Sequence, residues 1–248
     1  MRVATFNIRH GAHDGKGLRS LVADGAGLRS SVTSLHADIV ALQEVDRRVA
    51  RSWGRDQAAM VAASGSGSTS LFAPARRVLL TGHDGVALVV RGVVRTTRTL
   101  ALPGRAAPRV ALFARVEPPG GLTPVTVVAT HLQNRVRHGP AEAPMQLDAL
   151  LEELTRWPEP WILAGDLNLR PDVVVPALTS AGLTPLRAGH TYPAGAPRIE
   201  IDWLAVRGLR ASTAGVGDTP ARTVQLPVGD HRALVADLEP AAARTDGP

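Results

Sequence analysis

The chain has 248 residues, 44% of them hydrophobic and 20% charged, which is enough for one large buried core and argues against a disordered or fibrous chain. It contains no cysteine, which excludes disulfides and thiolate metal sites and leaves only oxygen and imidazole to hold a metal. A net charge of +6 admits an anionic partner, whereas 3% aromatic residues argue against a long base-stacking platform for single-stranded nucleic acid. The cations are 27 Arg and the single Lys16, a bias that GC-rich coding produces as readily as a binding surface does. No apolar run approaches the ~20 residues that span a bilayer. The run in "MRVATFNIRH" is too short for a signal-peptide core, so a cytoplasmic location is expected.

In chain order, "RVATFNI" reads as a strand ending near Asn7, followed by a loop rich in Gly, His and Asp. Leu28, Val32 and Leu35 lie on one face of a helix. "DIVALQEV" is a buried strand with Glu44 at its far end, "DQAAMVAA" a short helix, and "SGSGSTS" (Ser64 to Ser70) a loop. Four strands separated by Gly and Pro then follow: "GVALVVRG", "VVRTTRTLAL", "RVALFARVE" and "PVTVVATHL". "APMQLDALLEEL" is the clearest helix, with Pro144 at its start and Met145, Leu147, Leu150, Leu151 and Leu154 on its apolar side. "PWILAGDLN", a helical segment after Pro171, "EIDWLAVRG" and "HRALVADL" complete the pattern. Strands outnumber helices, and many connections are too short for a helical crossover. The expectation is an α+β fold of two mostly antiparallel or mixed sheets packed face to face with helices outside, in one domain over 1–240, with a mobile tail at 241–248.

Polar residues recur at the mouths of these strands. Asn7, Glu44, His131, Asp166 and Asn168 follow apolar runs; Asp202, Asp230 and His231 precede them. Each alone has an ordinary reading, as a turn former, a surface acid or a hydrogen-bonded core histidine. In antiparallel sheets the end of one strand lies beside the start of its neighbour, so all eight can share one edge. Such a rim holds four carboxylates, two amides and two imidazoles. Carboxylate and amide oxygens suit Mg²⁺ or Mn²⁺, a carboxylate can take a proton from water, and imidazoles can stabilise charge on phosphate oxygens. The chemistry this points to is metal-assisted hydrolysis of a phosphate ester.

"ATFNIRHG", "ADIVALQEVD", "VVATHLQ", "ILAGDLN", "TYPAGAPRIEIDWLAV" and "GDHRALVADL" resemble, in order, the motifs of the endonuclease/exonuclease/phosphatase superfamily, the deoxyribonuclease I-like fold. The resemblance implies a four-layered α/β/β/α sandwich. It implies Glu44 as principal Mg²⁺ ligand with Asn7 close to it and Asp230 near the metal. Asp166 would activate the water and Asn168 position it, while His231 would contact the phosphate and be oriented by Asp202. His131 matches the branch that uses histidine there, as the deoxyribonuclease I and sphingomyelinase members do. The segment "RRVARSWGRDQAA" resembles a small bacterial subgroup. Two positions depart from the pattern: Gly229 stands where a serine is common, and Val86 stands where a loop amide is usual. The expected function is a Mg²⁺-dependent phosphodiesterase or phosphatase on a small or lipid-like phosphorylated substrate. A nuclease acting on nucleic acid, and a non-catalytic binder of a phosphorylated ligand or protein, are the alternatives.

Overall fold

A computed structural model of the chain describes residues 1–15, 21–65, 67–78, 81–134, 141–212 and 219–241. Its elements in chain order are β1 (Arg2–Asn7), α1 (Gly25–Ser34), β2 (Ile39–Arg47), α2 (Gln57–Ala62), β3 (Ser68–Val78), β4 (Gly82–Arg91), β5 (Val93–Ala101), β6 (Val110–Glu117), β7 (Val125–His131), α3 (Ala143–Leu154), β8 (Trp161–Asp166), α4 (Pro171–Ser180), β9 (Thr184–Pro185), β10 (Asp202–Arg207), β11 (Leu209–Ala211), β12 (Arg222–Val224) and β13 (Ala233–Pro240).

The strands form two sheets. One has the order β11-β13-β1-β2-β4-β3, with β12 also paired to β13; the other has the order β5-β6-β7-β8-β10-β9. The β1–β2 and β7–β8 pairs are parallel. Both need a crossover, which α1 and α3 supply. The remaining strand pairs are antiparallel.

Side chains alternate across each strand, and in the central strands both faces are apolar, which is why those strands read as unbroken hydrophobic runs. In β2, Ile39 and Ala41 face the other sheet, while Val40 and Leu42 pack with Leu28, Val32 and Val61 of the helices. In β8, Ile162 and Ala164 face inward, while Trp161 and Leu163 pack with Leu147, Leu150 and Leu178. Three apolar layers therefore separate four structural layers, α/β/β/α, the architecture expected. Asp24 starts α1 by accepting from the Ala26 and Gly27 N–H groups.

Two local expectations are corrected. The loop at Ser64–Ser70 ends early, because β3 begins at Ser68; Ser66 itself lies outside the described residues. β3 escapes a sequence reading because Pro74 interrupts it. It is an edge strand, and its pairing with β4 shifts register between Pro74 and Arg76, where a missing N–H is tolerated. Val86 lies in β4, not in a loop, and is buried among inward-facing residues. The tail expected at 241–248 lies outside the described residues except for Ala241, whose N–H donates to Gly208 O at 3.2 Å. No described helix is long and apolar enough to cross a membrane.

Candidate active site

The alternation that builds the core also builds the site. In β7, β8 and β10 the inward positions are Val127 and Ala129, Ile162 and Ala164, and Leu204 and Val206. One step further along the same face stand His131, Asp166 and Asp202. They are direct neighbours: Asp166 pairs with His131 in the parallel ladder and with Asp202 in the antiparallel one. In β1 the same parity carries Val3, Thr5 and then Asn7. The polar rim is thus where the inner core layer runs out.

Glu44 reaches the rim differently. By alternation from Leu42 it would face α1. Instead, β2 shifts register against β4 between Leu42 and Val45, and Glu44 has φ +55°. Leu42 pairs with Ala87 and Val45 with Gly85, so Gln43 and Glu44 together oppose Val86, as in a β-bulge. The extra residue turns Glu44 inward. The expectation that Glu44 follows its strand is corrected: β2 continues to Arg47.

The two sheets meet through Asn7. Its Nδ2 donates to Glu44 Oε1 at 3.1 Å and to Asp166 Oδ2 at 3.0 Å, and its Oδ1 accepts from the Arg9 N–H. Asp166 Oδ1 accepts from the N–H of Asn168, which is held at φ +51°. Asn168 therefore shapes the turn and also donates its Nδ2 to Leu132 O, leaving its Oδ1 for the site. His231 Nδ1 donates to Asp202 Oδ2 at 2.8 Å, and its Nε2 stands 3.8 Å from Asp166 Oδ2. His131 Nε2 lies 3.5 Å from the same oxygen. Asp230 stands apart from this cluster: its carboxylate faces Arg9 Nε at 3.8 Å, and its backbone carbonyl accepts from Ala194.

Burial and like charge push the Asp166 carboxyl up to about 7: desolvation and then Asp202 outweigh His231, Asn7 and the Asn168 N–H. Burial opposes a charge on His231, but Asp202, Asp166 and Asp230 overcome it and raise the imidazole to about 10. Burial, helped by Arg109 and His231, lowers His131 well below the usual histidine range and keeps it neutral. One rim thus holds an acid that ionises near neutrality, a charged imidazole and a neutral one.

The donor set fits a hard divalent cation. Glu44, Asp166 and Asp202 bring three carboxylates, with Asp230 apart beside Arg9, and Glu44 makes no ion pair with any described Arg or His. Asp202 Oδ1 is buried without a hydrogen-bond partner. Ligand atoms of Asp166, Asp202 and His231 also lie within 4.8 Å of one another; there one imidazole stands against two carboxylates.

Several residues at the rim were not singled out from sequence. Arg109 is lowered by burial and held up by Asp166 and Glu44; as one of 27 Arg residues it gives no contrast. Tyr192 packs on His231 with ring centroids 4.8 Å apart; it is the single tyrosine, which was a usable signal. A separate cavity of about 240 Å³, lined by Val32, His36, Val40, Val61 and Arg91, lies at the other end of β2 from Glu44 and shares no residue with the rim.

Known proteins share this fold. The family model described as "Endonuclease/Exonuclease/phosphatase family" matches residues 4–231. The uncharacterized protein YbhP of Escherichia coli strain K12 is 29% identical over 229 residues, covering 85% of this chain and 87% of YbhP. The crystal structure of an endonuclease/exonuclease/phosphatase from Beutenbergia cavernae superposes with a TM-score of 0.77 at 23% identity, over 98% of this chain and 72% of that one. TDP2 of D. rerio, solved with a single-strand DNA product, gives 0.67 at 16% identity over 96% and 98% of the two chains. With six motifs, the fold and the rim in agreement with a family match over nearly its whole length, the chain belongs to the endonuclease/exonuclease/phosphatase family of metal-dependent phosphoric ester hydrolases.

Proposed function

We propose that this chain is a Mg²⁺-dependent phosphodiesterase or phosphatase acting on a small or lipid-like phosphorylated substrate. The observation that carries the reading is Asn7, whose one amide nitrogen joins Glu44 and Asp166 across the two sheets. Those bonds bring two carboxylates from different sheets to one amide, which supports giving one of them the cation and the other the proton of the attacking water. Glu44 would hold Mg²⁺ with the Asn7 side chain beside it, and Asp230 would lie on that side. Bound there, Mg²⁺ supplies Lewis-acid polarisation of a phosphoryl oxygen.

The chain's own groups account for the proton movements. Asp166, ionising near 7, is matched to accept a proton from water at neutral pH. Asn168 Oδ1 orients that water. The charged His231 faces the phosphate oxygens, where negative charge grows as water adds to phosphorus and the ester P–O bond breaks. Asp202 holds the ring through Nδ1, leaving Nε2–H for the phosphate. Neutral His131 donates a hydrogen bond without adding charge. A single exposed tryptophan, Trp53, among otherwise buried or half-buried ones favours a small or lipid-like substrate over a long single strand, which needs successive stacking surfaces.

The test is turnover of bis-(p-nitrophenyl) phosphate, then a parallel panel of phospholipids, inositol phosphates, nucleotides, DNA and RNA, each with Mg²⁺ and with excess EDTA. Mg²⁺-dependent turnover abolished by EDTA is expected, with small or lipid phosphoesters ahead of nucleic acid. Nucleic acid as the fastest substrate would replace the substrate class. Full activity in EDTA would remove the metal, and no turnover of any member would favour a binding protein.

A further inference from the structure

The parallel ladder between β1 and β2 pairs Asn7 with Gln43, and its last backbone rung is Ile8 N–H to Gln43 O at 3.1 Å. Continued in that register, His10 would stand opposite Asp46. It does not bond to it. Arg9 and His10 both have φ +46° and Gly11 has φ +76°, a left-handed run that turns β1 away. On the other side, the bulge at Glu44 turns β2 away.

The gap is filled by the side-chain amide of Gln57, the first residue of α2. Its Oε1 accepts from Asp46 N–H at 2.8 Å, and its Nε2 donates to His10 O at 2.7 Å. Gln57 is 1% exposed. Gly11 leaves room for it, since a Cβ there would stand 3.2 Å from Gln57 Nε2. The amide is an inserted rung: it satisfies the two backbone groups that the parted strands strand in the interior and holds them one amide-width apart. Asn7 and Glu44 sit at the mouth of that split, joined by their 3.1 Å hydrogen bond. Left-handed non-glycine residues persist only where the surroundings over-determine them, and among the described residues Gln57 is the one side chain from outside the two strands that bonds to the backbone of both segments.

We infer that Gln57 is a positioning residue that sets the spacing of Asn7 and Glu44, and through it the affinity for the divalent cation. This rests on the reading that Glu44 holds that cation. The predicted loss has the size seen when groups that orient metal ligands are removed, about 10–100-fold in affinity.

The test uses the full chain without substrate and Mn²⁺ as probe, followed by electron paramagnetic resonance, with urea unfolding alongside. Gln57→Met keeps length and volume but makes neither bond; Gln57→Glu accepts from Asp46 but repels the His10 carbonyl. Both should bind Mn²⁺ about 10–100-fold more weakly, and Gln57→Met, which leaves the Asp46 amide without its acceptor, should also show faster hydrogen exchange there. Ala59→Gly loosens the same helix at an exposed position and should leave Mn²⁺ affinity unchanged. Wild-type affinity in either folded Gln57 variant overturns the inference, and so does an equal loss in Ala59→Gly. If Glu44→Gln binds Mn²⁺ like wild type, the reading of Glu44 fails instead. Should Gln57→Met not fold, Gln57→Glu decides the question.

Discussion

Asp202→Asn is the most informative single change, because it removes one charge while keeping an oxygen in place for His231 Nδ1. Two titrations depend on that charge. Asp202 is the leading group holding His231 up near 10 against burial, and it is the leading like charge holding Asp166 up near 7. The signs follow from the roles proposed. Asp166 must be ionised, so activity is present above its pKa and lost as pH falls through about 7. His231 must be protonated, so activity is present below its pKa and lost as pH rises through about 10. Removing the Asp202 charge lowers both values, so both limbs of the profile move to lower pH. A hydrogen bond to a charged partner contributes about 1.5–3 kcal/mol. At 1.36 kcal/mol per pH unit that moves the upper limb down by about 1–2 units, and the same energy in the transition state is about 10–10²-fold in turnover. His231→Ala, which deletes the donor itself, should lose about 10²–10³-fold. The double variant should be little worse than His231→Ala, since groups acting as one unit are not additive. The assay is kcat for bis-(p-nitrophenyl) phosphate across both limbs at saturating Mg²⁺. An upper limb that stays put in Asp202→Asn, or losses that add in full, would mean that Asp202 does not act through His231.

How much of this was legible in the sequence depends on how each side chain reaches the rim. Asn7, His131, Asp166 and Asp202 continue the inward parity of their strands, so a two-residue period carries them to one edge, and their positions could be read directly. Glu44 could be read as an acid near a strand end, but its parity points the wrong way. Only the bulge, a pairing irregularity between β2 and β4, corrects it, and pairing is a tertiary property. The Asn7–Asp166 bond joins residues 159 positions apart; nothing local specifies it, because it depends on which sheet faces come together. Arg109 was hidden by abundance. Gln57 was hidden by ordinariness: a glutamine at a helix start draws no attention until the two backbone groups it bridges are known.

Asp166→Asn should lower kcat by roughly 10²–10⁴-fold and abolish the limb near 7, measured as turnover against pH; wild-type turnover would assign the base elsewhere. Asp46 is fully buried and takes both Arg51 bonds, at 2.9 and 2.8 Å. Because Arg51 keeps partial solvent access, Asp46→Asn should cost toward the lower end of the buried-pair range, about 3 kcal/mol. A urea midpoint within error of wild type at unchanged slope would contradict that. The last prediction concerns Gly229, where the family pattern favours serine. Restoring that serine here should harm the protein. Gly229 has φ +81°, and a Cβ would stand 2.9 Å from Asn7 O and 3.0 Å from the Phe6 ring. The backbone conformation alone disfavours a side chain by about 1–2 kcal/mol, and at about 2–4 °C per kcal/mol for a domain of this size the melting temperature should fall by several degrees. Neither neighbour yields easily: the Asn7 carbonyl belongs to β1, and Phe6 is fully buried. The nearer contact is Asn7, whose amide joins Glu44 to Asp166, so strain there should make Gly229→Ser lose turnover as well as stability. Thermal unfolding and kcat measured on one preparation decide it. A Gly229→Ser variant that melts like wild type and turns over faster would show that the loop accommodates serine and that the missing hydroxyl was a loss.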